Sequence, residues 1–178
     1  MNLRYLLLAG LMGSSAAMAD DAPTNPTTEH GIVKVQWQEP SKYRDIKSSG
    51  ELQSRFENRL FETLTENLDK QAQKTLKAGE TLQMVVTDVD LAGDMRPTFG
   101  ATANDLRVVK EVYPPRITFS YQVLEGDKVI VSGDEKITDM NFLTSIDRMG
   151  RDRDPFFYET AMLNNWLTKM VSTMGQAN

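Results

Sequence analysis

The chain has 178 residues, 40% of them hydrophobic, with no cysteine, one histidine and a formal net charge of −5. That is enough for one domain with a full-sized core, while the absence of cysteine excludes structural disulfides, thiolate metal sites and a bacterial lipid anchor. A mildly acidic balance argues against nucleic acid or anionic lipid as the main partner.

Residues 1–19 read as a secretory signal peptide. Arg4 gives a basic start, Tyr5 to Met12 is an apolar run, and Ala17-Met18-Ala19 is a small-x-small cleavage signal. Cleavage is expected after Ala19, giving an exported, soluble chain. The apolar run falls short of the roughly 20 residues a membrane span needs, and no later segment approaches that length. Removing Arg4 with the leader leaves 19 basic residues against 25 acidic ones.

Residues 20–30 are polar, with Pro23, Pro26 and three threonines, and predict a disordered tether ahead of a single domain over 31–178. Val33, Val35 and Trp37 alternate with Ile32, Lys34 and Gln36, the pattern of a strand with one buried face. Glu39-Pro40 ends it, and Ser41 to Lys47, with Tyr43, Arg44 and Asp45, reads as a solvated loop. Ser48 and Glu51 then form a capping box. Behind them Leu52, Phe56, Leu60, Leu64 and Leu68 recur every fourth residue, with Phe61 widening the stripe. The spacing predicts an amphipathic helix ending at Gly79, about 28 residues and roughly 40 Å long.

Thr81 to Gly93 is the stretch around which the rest is arranged. Leu82, Met84 and Val86 alternate with Gln83, Val85, Thr87, Val89 and Leu91, predicting a strand apolar on both faces and central under helices. On a regular strand Asp88 and Asp90 share the face of Leu82, Met84 and Val86, roughly 6 to 7 Å apart, just before Gly93, Asp94, Arg96 and Pro97. A strand that begins as core and ends as charge marks a candidate site.

Asp94 to Asp105 reads as a long loop whose one large apolar group is Phe99. Leu106 to Tyr113 is a further strand, broken by Pro114-Pro115, and Arg116 to Leu124 places Ile117, Phe119, Tyr121 and Val123 on one face. Gly126-Asp127 signals a hairpin. A two-residue turn would set those four opposite Lys136, Asp134, Ser132 and Ile130. A three-residue loop, Gly126 to Lys128, sets them opposite Ile137, Glu135, Gly133 and Val131, and is preferred because register follows the buried face. Asn141 to Arg153 is a connector carrying Arg148, Arg151, Asp152 and Arg153. Asp154-Pro155 opens a last helix, to about Met174, with Phe156, Leu163, Trp166, Leu167, Met170 and Val171 as its buried stripe. The order implies an α+β fold: a two-layer sandwich with a mixed or antiparallel sheet of four or five strands and two helices on one face.

The chemistry is bounded by what is missing. The only histidine, His30, lies in the tether and there is no cysteine, so Ser-His-Asp, Cys-His and His-rich zinc sites are ruled out. No glycine-rich phosphate loop is present, and no cofactor is expected. What remains is carboxylate: Asp88, Asp90 and Asp94, with Asp105 and Asp139 as possible neighbours. Such groups can bind calcium or magnesium or act as an acid/base pair. Tested against the EF-hand loop, the run from Asp88 matches at Asp90 and Gly93 but has Ala92 and Phe99 where ligands are required. The structural reading pairs Asp88 and Asp90 with Arg96, Arg107 or Arg116. Two functional readings follow. The leading one is a non-enzymatic binding or accessory module; the alternative is a carboxylate-dependent enzyme or divalent-cation binder using Asp88, Asp90 and Asp94.

The runs V-K-V-Q-W-Q-E-P-S-K-Y-R-D-I, V-T-D-V-D-L-A-G-D-M-R-P, Y-P-P-R-I-T-F-S-Y, G-D-E-K-I-T-D-M and Y-E-x-x-M-L-x-x-W resemble an uncharacterised family of exported proteobacterial proteins, domain of unknown function 3016. The resemblance extends from about Val33 to Trp166. It implies residence in the periplasm of a Gram-negative bacterium; the partner expected for the binding-module reading is an unidentified periplasmic protein or small ligand. The family has no assigned activity and so no catalytic residues to carry over.

Overall fold

The computed structural model describes residues 25–97, 105–144 and 154–176. The elements are β1 (Thr27–His30), β2 (Val33–Trp37), a short 3-10 turn (Pro40–Lys42), α1 (Gln53–Thr75), β3 (Glu80–Asp90), β4 (Asp94–Arg96), β5 (Leu106–Val108), β6 (Arg116–Glu125), β7 (Lys128–Thr138), a second 3-10 turn (Phe142–Thr144) and α2 (Phe157–Gln176). The segment read as a signal peptide, the loop around Phe99 and the arginine-rich connector before Asp154 lie outside the described residues.

The fold is α+β. Five strands form one mixed sheet in the order β1-β2-β3-β6-β7, and β4 pairs with β5 as a separate ribbon. β2 and β3 run parallel and the other neighbours antiparallel. One core joins Leu60 and Leu64 of α1 and Leu163 and Leu167 of α2 to Val35, Met84 and Phe119, so both helices cover the same face. Trp37 stacks on Phe61 at 4.3 Å, and Trp166 meets Phe119 edge-on at 4.7 Å. The other face is turned to solvent, with Gln36, Gln83, Gln122 and Ser132 exposed. The expectation that β3 is apolar on both faces is therefore corrected: a sheet with one covered face needs only one apolar row.

Residues 27–30 are not a disordered tether. They form β1, an edge strand paired with β2, although the sequence T-T-E-H has no apolar residue to bury. A chain of hydrogen bonds holds it. Trp37 donates its indole N–H to Thr28 Oγ1 at 2.9 Å, the Thr28 and Thr65 hydroxyls lie 2.5 Å apart, and Thr65 donates to the Phe61 carbonyl at 2.8 Å.

α1 is shorter at both ends than its stripe predicts. Ser48 caps the turn before the helix, its Oγ accepting the Glu51 N–H at 3.2 Å, while its own N–H goes to Gln53 Oε1 at 3.0 Å. Leu52, which the stripe includes, lies just outside the helix and is exposed. The helix stops at Thr75 because Leu76 is already extended.

The hairpin register is as the buried face requires, with Ile117, Phe119, Tyr121 and Val123 opposite Ile137, Glu135, Gly133 and Val131. The device differs from a three-residue loop. Glu125 faces Lys128 across a two-residue turn, and a bulge between Val123 and Leu124 supplies the extra residue.

Candidate functional site

The charged end of β3 does not present its aspartates on the core face. A bulge between Val86 and Asp88 adds Thr87 to the strand, so pairing resumes with Asp88 opposite Thr118, Val89 opposite Ile117 and Asp90 opposite Arg116. The extra residue inverts the alternation. Val89 and Leu91 take over the buried row, and Asp88 and Asp90 turn outward.

The segment read as a solvated loop supplies their partner. Tyr43 and Ile46 are buried, the Tyr43 hydroxyl donating to the Val86 carbonyl at 2.8 Å. Burial, helped by the Asp88 charge, pushes that phenol above its usual range. With those two side chains inside, Arg44 and Asp45 are carried along the end of β3, where Leu91 N–H donates to the Asp45 carbonyl at 3.2 Å. Arg44 donates its backbone N–H to Asp88 Oδ1 at 3.1 Å and reaches Asp88 and Asp90 with its guanidinium at 3.3 and 3.8 Å. The partner of both aspartates is thus Arg44, correcting the expectation of Arg96, Arg107 or Arg116. Arg107 instead holds Asp45 through two hydrogen bonds at 2.8 and 3.3 Å, and Arg96 holds Asp94 at 2.7 Å.

These groups border a polar cleft of about 340 Å³, lined by Asp45, Asp90 and Asp94 on the acidic side and Arg44, Lys47 and Arg116 on the basic side. Asp88 is beside it; Asp105 and Asp139 are not in its lining. Burial raises the pKa of Asp90, against the lowering effect of Arg44 and Arg116. Among the described residues no group of three or more His, Cys, Asp or Glu is arranged to hold a metal ion. His30 sits at the end of β1 with Nε2 2.7 Å from Glu62 Oε2.

Two residues position the cleft. Gly93 has φ +92°, and a Cβ there would lie 2.8 Å from the Val108 carbonyl, so only glycine lets the turn into β4 pack on β5. Glu159, in the first turn of α2, accepts the Ala92 N–H at 2.7 Å from inside the core. Sequence reasoning missed Glu159. Its signal was a carboxylate on the buried stripe, four residues before Leu163.

The family model described as "Protein of unknown function (DUF3016)" matches residues 31–169. No curated protein and no solved structure matches the chain. No helix among the described residues is long and apolar enough to cross a membrane.

Proposed function

Because the chain belongs to the DUF3016 family of proteins of unknown function, which lends it no activity, we propose its function from its own surface: an exported, non-enzymatic binding or accessory module of the bacterial periplasm. One observation carries the reading. Every carboxylate bordering the cleft is engaged by an arginine, Asp88 and Asp90 by Arg44, Asp94 by Arg96 and Asp45 by Arg107. Carboxylates each tied to an arginine in this way neither gather a hard cation nor sit as a free acid/base pair. A cleft with both signs of charge suits recognition of a partner that also carries both. Export is supported by the basic start, apolar run and Ala17-Met18-Ala19 signal.

The test is a pull-down from periplasmic extract with wild type and Arg116→Glu. A partner held by wild type and lost by the variant supports the reading, and identical captures remove the cleft from it. Intact mass of the periplasmic protein should begin at Asp20; retention of residues 1–19 overturns the export argument.

A second reading, a carboxylate-dependent enzyme or divalent-cation binder at Asp88, Asp90 and Asp94, draws on the raised pKa of Asp90, which suits a general acid. Thermal melts with millimolar calcium or magnesium separate the two. A cation-dependent rise in wild type that Asp88→Ala abolishes establishes the second reading.

A further inference from the structure

The second helix spends its buried stripe on β6, where Trp166 lies edge-on to both Phe119 and Tyr121 at 4.7 and 5.0 Å. β7, one strand further out, is left partly uncovered. Between α2 and the helix-side face of β7 runs a groove of about 770 Å³, with Trp166, Met162, Met170 and Met174 on one wall and Val131 and Ile137 of the strand opposite. That volume lies in the range of ligand sites, and methionine walls adapt to what they receive.

Three features describe its occupant. β7 is eleven residues long and has no neighbour beyond it among the described residues, so its outer edge offers main-chain donors and acceptors. At its midpoint the strand carries Gly133, where a Cβ would meet the buried Tyr121 ring at 2.9 Å, so that ring takes the space a side chain would fill on this face. Glu135, on the same face, is half-buried and lines the groove; Lys169 of α2 also lines it, but Glu135 makes no ion pair within 4 Å with any described residue. An inward charge at a sheet edge repels an all-apolar strand and accepts one that brings a cation to that position.

We propose that this groove binds an extended segment of a partner protein, added antiparallel to β7 as a sixth strand, with a basic side chain opposite Glu135 and apolar side chains opposite Ile137, Gly133 and Val131. Main-chain bonds along β7 give the affinity and the alternating side chains the selectivity. The antiparallel arrangement is chosen because it is the more stable pairing per residue. The inference shares only its non-catalytic character with the function proposed above, and the cleft pull-down stands or falls separately.

The probe is a nine-residue synthetic peptide in which threonine alternates with valine, lysine, phenylalanine and valine, titrated into the full chain by calorimetry and by tryptophan fluorescence. Saturable binding is expected, weakened at least tenfold when the peptide lysine becomes glutamate and regained when that peptide meets Glu135→Lys. Methylating alternate peptide nitrogens should abolish binding in one register and spare it in the other. No saturation at millimolar peptide, equal effects of the two methylation patterns, or indifference to the charge exchange overturns the proposal. So does sedimentation showing that β7 is occupied by a second copy of the chain.

Discussion

Arg44 closes on Asp88 from two directions, its backbone N–H reaching Oδ1 at 3.1 Å and its guanidinium reaching Oδ2 at 3.3 Å. The two bonds differ in worth. The guanidinium is half-exposed, with 51% of its side chain accessible, and exposed pairs contribute about 0 to 1 kcal/mol. The backbone N–H fixes the loop against β3 and depends on one acceptor. Asp88→Ala is therefore expected to lose about 1 kcal/mol, while Asp88→Asn, which keeps Oδ1, stays within about 0.5 kcal/mol of wild type. Urea melts giving equal losses for both would move the energy into the ion pair.

The bonds among Trp37, Thr28 and Thr65 form a relay with one direction available to it. Thr65 gives its proton to Phe61 and so must accept from Thr28, which in turn accepts from Trp37. Thr65 is fully buried. Thr65→Val keeps the shape and leaves the Thr28 hydroxyl without an acceptor, an expected loss of about 1 to 3 kcal/mol. Adding Thr28→Val should cost less than it does alone, because the relay is already broken. A double-mutant cycle showing simple additivity would show the three groups to be independent.

How much of this was legible follows from which physical signal each feature carries. α1, α2 and the β6–β7 register are written in long apolar patterns, and burial enforces them. β1 carries no such pattern: it is held by hydroxyls whose partners, Trp37 and Thr65, are 9 and 37 residues from Thr28. The outward turn of Asp88 and Asp90 depends on a bulge at Thr87, where no glycine or proline announces it. Arg44 was hidden because Tyr43 and Ile46, the two groups that anchor its loop, are too few to show a period. β7's Glu135 was legible in register and unreadable in purpose, since a charge on a covered face makes sense only once the cover is seen to fall short.

The two helices should share the energy of one core. Leu64 is 1% exposed and Trp166 8%. Leu64→Ala is expected to cost about 2 to 5 kcal/mol and Trp166→Ala about 3 to 5 kcal/mol. Trp166→Phe should cost much less than Trp166→Ala, because the buried indole N–H makes no hydrogen bond among the described residues and the ring contacts with Phe119 and Tyr121 are largely kept. Losses under about 0.5 kcal/mol at Leu64 and Trp166 would show the stripes to face solvent.

Glu159 is 2% exposed and accepts the Ala92 N–H at 2.7 Å. Burial raises its pKa; the N–H groups of Ala92 and of Glu159 itself, with the Arg107 charge, oppose that rise without cancelling it, and Asp154 adds to it. In the unfolded chain the group titrates near the ordinary value of about 4.3. Below that value both states hold the proton and the carboxyl makes no difference to folding. As pH rises past it, the unfolded chain releases its proton first, the folded state binds more protons, and stability falls until the folded carboxyl also ionises. Glu159→Gln retains Oε1 to accept the Ala92 N–H and removes the titration. Wild type and this variant are thus expected to unfold alike near pH 4, with wild type falling behind as pH rises toward neutrality. Glu159→Ala instead leaves the buried Ala92 N–H unpaired, a loss of about 1 to 3 kcal/mol relative to Glu159→Gln at every pH. Urea melts of all three proteins between pH 4 and 8 decide it. A wild-type advantage over Glu159→Gln that grows with pH would mean that the folded chain stabilises the ionised carboxylate, the reverse of what its burial implies.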